Sequence, residues 1–144
     1  MFDYSYMGGF FDGEGCITII RLSPNPKQHR KSPQHKCMIV ISNTRIEILE
    51  MFKNNFGGSI HIVKEDKENN RKKLYQWKID HFTAYKFCLK MKDYFILKKR
   101  NAELVIEYYE KETGKTYITS DKEIARRDKL SEEIKKLNFR GVKV

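Results

Sequence analysis

The sequence predicts an α+β domain whose elements run α-β-β-α-β-β-α-α, with four strands in an antiparallel, saddle-like sheet and the helices on one face. Three observations carry this prediction. Four short stretches are rich in β-branched residues or alternate apolar with polar ones, and they fall in two consecutive pairs. The stretches around them repeat apolar residues at three- and four-residue spacing. Breaks rich in Gly, Pro or charge separate the two kinds of segment. A chain of 144 residues fits one domain, here 1–144, with 111–144 as a helical C-terminal extension.

The elements follow in order. "DYSYMGGFFDG" (3–13) reads as a short helix that is apolar nearly all round, which implies burial on several sides. "CITIIRL" (16–22) is the first strand. The loop 23–34 holds all three prolines. "KCMIVISN" (36–43) is the second strand. In "TRIEILEMFKNNFGG" (44–58), Ile46, Leu49, Phe52 and Phe56 share a helical face and Gly-Gly stops it. Thr44 or Asn43 can cap this helix, with Glu47 placed for a capping box with Thr44. "SIHIVKE" (59–65) and "LYQWKID" (74–80) are strands around a charged hairpin tip, 66–73. Helices are expected at 81–91, at 98–114 with Ala102, Val105, Ile106 and Tyr109 on one side, and at 120–138 with the stripe Ile124, Leu130, Ile134 and Leu137. The tail after Asn138 is expected to be loose.

Alternation assigns the two sheet faces. Cys37, Ile39, Ile41, Ile60, Ile62, Tyr75, Trp77 and Ile79 form a side that can pack on the helices. Lys36, Met38, Val40, Ser42, His61, Gln76 and Lys78 form the other. Ile17 and Ile19 can face the core, leaving Thr18 and Ile20 outward, but Arg21 breaks that pattern.

Lys and Arg number 29 against 19 Asp and Glu, a net charge of +10. Such an excess points to a polyanion, nucleic acid first, although a soluble protein with solvated lysines has the same balance. A sheet face fringed by basic loops can lie in the DNA major groove, where Gln, Arg, Lys and His reach base edges. The candidate DNA contacts are Arg21, Arg30, Lys31, Gln34, Lys36, Met38, His61, Gln76 and Lys78; an ordinary solvated face alternates in the same way. No apolar run approaches the roughly 18 residues of a membrane span, and no basic-then-apolar leader opens the chain. An intracellular protein, in cytoplasm or organelle matrix, is expected. Cys16, Cys37 and Cys88 lie far apart with no metal-ligand spacing, and read as small core residues.

The stretch "YMGGFFDGEG" (6–15) combines four glycines with two carboxylates, Asp12 and Glu14. A helix-interior Gly is about 1 kcal/mol less favourable than Ala, so the pattern calls for a packing or chemical reason. Gly9 and Gly13 share a helical face, and small residues at that spacing let two backbones approach closely. Twofold pairing of one copy with another would supply the second helix and bring two Glu14 side chains together beside helix-end carbonyls, a hard-oxygen cluster suited to Mg²⁺. Such a site could support metal-assisted phosphodiester hydrolysis. A glycine-rich turn with solvated carboxylates fits the same residues.

"MGGFFDGEG" (7–15) resembles the motif of LAGLIDADG homing endonucleases, with Gly8 where Ala is usual and Glu14 where Asp is commoner. "ISNT" (41–44), "FGGSI" (56–60) and "YFILKKRNAELVIE" (94–107) resemble later segments of that family in the same order. The resemblance implies the single-motif, homodimeric branch: a site-specific endonuclease that makes a metal-dependent double-strand cut in a long, roughly palindromic DNA site and promotes intron homing. It implies Glu14 and the Gly13 carbonyl as metal ligands, with Mg²⁺ as cofactor and Mn²⁺ or Ca²⁺ able to substitute in binding. Lys98 falls where the family places a basic residue near the scissile phosphate, within a run that would also suit plain phosphate contact. Asn43 falls where the family places a polar residue that orders solvent. The dimer interface would include Gly8, Gly9, Asp12 and Gly13. Double-stranded DNA and a second copy are the expected partners, with no membrane or small-molecule substrate. The other reading within the family is a non-cleaving nucleic-acid binder such as an RNA-splicing maturase. A basic module that binds an acidic protein is a third.

Overall fold

Pairing of two hairpins through their inner strands builds the sheet. In the computed structural model, which describes residues 3–65, 68, 72–111 and 120–139, the order is α1 (Tyr4–Glu14), β1 (Gly15–Leu22), β2 (Gln34–Asn43), α2 (Ile46–Phe56), β3 (Ser59–Lys64), β4 (Leu74–Asp80), α3 (His81–Met91), α4 (Lys99–Glu110) and α5 (Asp121–Asn138). The strands lie in the order β1-β2-β4-β3, all antiparallel. Most of the expected hairpin tip, the end of the 98–114 helix and the tail beyond Phe139 lie outside the described residues.

Cross-strand pairs Ile17–Ile39, Ile39–Ile79 and Ile41–Trp77 put one apolar row beneath the helices. On it sits an aromatic cluster: Phe11 lies 5.1 Å from both Phe87 and Phe95 by ring centroids, and Trp77 lies 5.2 Å from Phe52. Each fully buried ring of this size stabilises the fold by roughly 1.5–3 kcal/mol. Trp77 satisfies its indole by donating to the Gly57 carbonyl at 2.8 Å. That contact needs the α2 exit to turn sharply, and Gly57 and Gly58 adopt φ of 78° and 90°.

Several expected details differ. α2 has Arg45 at its N-cap, with no side-chain cap, because Asn43 Oδ1 accepts from the Arg45 amide in a local turn instead. Ile62 is exposed, since β3 is an edge strand that runs past the helix layer. α4 is buried more widely than one stripe, adding Asn101, Leu104 and Tyr108, because it packs against both α3 and α5. In α5 the buried positions are Glu123, Leu130 and Ile134, whereas Leu137 is exposed. Cys37 and Cys88 are core residues, but Cys16 is only half-buried and points to the other face of the sheet.

α5 seals the free edge of β1. Ser131 Oγ donates to the Ile19 carbonyl at 2.6 Å and Asn138 Nδ2 to the Ile17 carbonyl at 2.8 Å. Buried Glu123 binds Arg126 and Arg127, and Arg126 reaches on to the Glu107 and Tyr108 carbonyls, which fastens α5 to the C-terminal end of α4. Arg21 does not break the β1 register. It shares parity with Ile17 and Ile19, pairs with His35, and both side chains meet Asp128 of α5, at 2.9 and 2.7 Å. Burial lowers the His35 pKa, Asp128 opposes this, and Arg127 and Arg21 add to the depression. Neutral His35 therefore donates from Nε2, leaving buried Nδ1 without a partner.

A reciprocal clamp joins α1 to α4. The Asp12 carboxylate accepts the amides of Ile96, Leu97 and Lys98 at 2.9, 2.8 and 2.8 Å. Lys98 Nζ donates back to the Asp12 carbonyl. Burial alone would raise the Asp12 pKa, but the three amides and Lys98 outweigh it and hold it below the usual carboxylate range. Gly8 lies one turn earlier on the same side of α1, and a Cβ there would collide with the backbone of Tyr94.

Two expectations follow. Asp12→Asn leaves amides in this turn short of an acceptor and is expected to lower stability by roughly 2–4 kcal/mol in urea titration at pH 7. The Asp12 contribution is present above about pH 4, the unfolded value, and is lost as pH falls through the depressed folded one. His35 has the same sign at a higher pH: below about pH 6.5 the unfolded chain takes up the proton first, so stability should fall from pH 7 toward pH 5. His35→Leu should flatten that slope; an unchanged slope would assign it to another group.

Candidate active site

The clamp decides what stands at the end of α1. Of the two motif carboxylates, Asp12 is structural, whereas Glu14 is exposed and makes no hydrogen bond or ion pair among the described residues. Glu14 is the last residue of its helix, and the last turn holds no basic residue of its own. A carboxylate there faces the negative end of the helix dipole, an unfavourable placement. Lys98 supplies the missing positive charge from another element. Glu14 and Lys98 line one cleft of about 380 Å³ with Gly15, Cys16, Leu97, Asn101, Leu137 and Asn138.

The helix-end carbonyls add oxygen donors. The Phe11 carbonyl accepts the Gly15 amide and the Asp12 carbonyl accepts Lys98 Nζ, and the Gly13 carbonyl is next in line. No group of three or more His, Cys, Asp or Glu side chains forms a metal cluster among the described residues. One free carboxylate plus backbone oxygen nevertheless suits Mg²⁺, which usually keeps waters and binds through one or two carboxylates together with substrate phosphates. A solvent-facing carboxylate at a helix end that also presents carbonyl oxygens is a donor chemistry that fits a hard divalent cation.

The remaining motif positions separate into two groups. Gly8 and Asp12 are engaged within the chain. Gly9 and Gly13 are exposed, and a Cβ built on either meets nothing within 4 Å. With Tyr6, 54% exposed, they leave a smooth uncovered stripe along α1. Asn43 does not line the Glu14 cleft. It lies in a separate depression between α1 and α2 with Tyr6, Phe10 and Met51. Asn101 and Asn138 occupy the cleft instead, joined by a 2.9 Å hydrogen bond. Helical spacing alone gave no signal for either, since α5 is brought there by tertiary packing.

The outer sheet face carries most of the expected DNA contacts. Gln34, Lys36, Met38, His61, Gln76 and Lys78 all have outward parity. Gln76 donates to Ser42 Oγ at 3.2 Å, His61 Nε2 lies 3.0 Å from Ser59 Oγ, and Lys36 pairs with Asp80 at 3.1 Å. Arg21 is the exception: it lies on the helix side, held by Asp128. Arg30 is used to close its own loop through the Ser23 carbonyl and Gln28, and Lys31 beside it is exposed. Among the described residues no helix is long and apolar enough to cross a membrane.

No curated protein matches the chain. Among solved structures it is similar to the homing endonuclease I-CvuI in complex with a DNA target in the presence of Mg, with 18% identity, TM-score 0.73, and coverage of 98% of this chain and 84% of that one. The archaeal intron-encoded homing endonuclease I-Vdi141I complexed with DNA gives 22% identity, TM-score 0.74, and coverage of 97% and 86%. I-SmaMI bound to cleaved DNA gives 20% identity and TM-score 0.67, with 99% of this chain covering 46% of that one. These likenesses establish the fold. Residues 7–102, from the glycine-rich helix to the start of α4, match the LAGLIDADG endonuclease family, and the chain belongs to that family.

Proposed function

We propose that the protein is a homodimeric, divalent-metal-dependent homing endonuclease that makes a double-strand cut in a long, roughly palindromic DNA site. The observation that carries the proposal is Glu14: a solvent-facing carboxylate at an electrostatically unfavourable helix end, beside Lys98, on a helix whose Gly9–Gly13 stripe is uncovered. Similarity to proteins solved with DNA and with Mg or Ca supports the partner and the cofactor.

Each residue has a definite task in this reading. The stripe of Gly9 and Gly13 meets its counterpart on a second copy, so that two Glu14 carboxylates approach one twofold axis. Glu14 and the Gly13 carbonyl would hold the cation. A divalent cation bound there supplies Lewis-acid stabilisation and lowers the pKa of attacking water. Lys98 is held by the Asp12 carbonyl as a fixed positive charge, which limits its reorganisation when a phosphate arrives. Asn101 and Asn138 add amide groups to the cleft wall. Exposed lysines such as Lys27, Lys31, Lys72 and Lys73 neutralise phosphates by counterion release, so affinity falls steeply with salt.

Glu14→Gln is expected to abolish Mg²⁺-dependent cutting of a native-site plasmid while leaving binding nearly unchanged; cutting at the parental rate would sink the metal assignment. EDTA should stop the parental enzyme. Gly9→Leu should leave the monomer folded, because nothing lies within 4 Å of the added Cβ. It should weaken dimerisation by about 1–3 kcal/mol through overpacking. Sedimentation equilibrium reads this directly, and a parental protein that cuts both strands as a monomer would remove the dimer.

A further inference from the structure

The outer sheet face is chemically divided, and the division bears on how DNA would be read. On β3 and β4 the outward side chains include Ser59, His61, Gln76 and Lys78, all able to hydrogen-bond a base edge. On β1 and β2 the outward side chains in the middle of the face are Cys16, Thr18, Ile20, Met38 and Val40, each only partly buried. They form one patch, because Cys16 is paired with Val40 and Thr18 with Met38 in the strand register. Thr18 is the polar exception by composition, yet its hydroxyl donates to the Met38 carbonyl at 3.3 Å, which directs the hydrogen into the sheet. Lys36 bounds the patch on one side; on the other, Lys78 lies across from Val40 and Asp80, which pairs with Lys36, lies across from Met38. The rim is thus polar and charged, with Lys78 and the ion pair of Lys36 with Asp80, while the centre offers no strong donor or acceptor.

We propose that the β1–β2 half of this face reads thymine C5-methyl groups in the major groove, so that part of each half-site is specified by methyl position rather than by hydrogen-bond pattern. The inference rests on the endonuclease reading and deepens it by naming the base chemistry that the site takes. In the major groove thymine alone among the four standard bases presents a methyl group, and apolar side chains contact it favourably. An Ile or Met pressed on a base edge that carries only donors and acceptors removes water without replacing its hydrogen bonds, which disfavours cytosine and guanine there. The spacing suits a duplex. Outward residues two apart on a strand lie roughly 6.6 Å apart, near two base-pair steps of about 3.4 Å each. Thr18 and Ile20, or Met38 and Val40, can thus sample alternate base pairs.

The test starts from a random double-stranded DNA library, enriched for bound sequences in Ca²⁺ and checked for cutting in Mg²⁺. Each thymine of the enriched site is then replaced singly by uracil, which removes only the methyl, and each cytosine by 5-methylcytosine, which adds only that methyl. At one short cluster of positions in each half-site, uracil should weaken binding about three- to fivefold, the scale of losing one buried methyl group. Within the same cluster, 5-methylcytosine placed in a cytosine-substituted site should bind more tightly than cytosine. Met38→Gln and, independently, Ile20→Ser should each erase the methyl dependence at one part of the cluster and leave the rest of the site unchanged. An enriched site that is cut in Mg²⁺ yet indifferent to uracil at every position would overturn methyl readout and leave the endonuclease reading standing. Failure to enrich or cut any DNA would overturn that reading, and the inference with it.

Discussion

The geometry of the site depends on one reciprocal contact, between Asp12 and the turn that leads into α4. The carboxylate takes three amides from residues 96–98, and the side chain of Lys98 returns to the Asp12 carbonyl. Each partner caps the other's helix with the sign the macrodipole favours: an anion near the N-terminus of α4, a cation at the C-terminus of α1. The exchange places Lys98 in the cleft with Glu14 and exposes Glu14 to solvent. It also fixes the roll of α1. With Gly8 and Asp12 turned toward the 94–98 segment, Gly9 and Gly13 must turn away from it.

A second constraint keeps the opposite sheet face bare. Among the described residues, helices α1–α5 pack on one side of the sheet or at its edge. α5 performs the edge duty: Ser131 and Asn138 satisfy carbonyls of β1 that would otherwise be available for pairing with another chain. The Arg21–Asp128–His35 contact and the buried Glu123 network hold α5 in that position. Loss of an arginine from the Glu123 network is costly because the buried carboxylate is left less compensated. The charge on α5 thus serves docking as well as solubility, which its composition alone did not distinguish.

Particular residues show how far the sequence could be read. Ile39, Ile41, Trp77 and Ile79 alternate because a half-buried strand has period two, and they are the sheet's core row. Leu49 and Phe52 are buried in α2 as their spacing required. Arg21 misled because an apolar–polar template cannot represent a cation on the core side that meets an acid from a helix over 100 residues later. Leu137 misled because the buried side of α5 runs through Glu123, Leu130 and Ile134 and leaves Leu137 exposed. Glu14 and Lys98, singled out by the motif and the resemblance, line one cleft, whereas nothing local marks Asn101 and Asn138, which line it too.

The sequence by itself determined the element order, the period of each element, the apolar row of the sheet and the family to which the chain belongs. Those properties are local: they follow from the spacing of apolar residues, from turn chemistry, and from a short motif whose glycines and acids need no partner to be recognised. Tertiary structure alone decided which motif carboxylate is structural and which faces solvent, which glycines are already packed, and which basic residues remain on the open sheet face. The physical reason is the same in each case. Asp12 and Glu14, Gly8 and Gly9, Arg21 and Lys36 are near-equivalents in chemistry, and only the groups folded against them from distant parts of the chain give each one a different role.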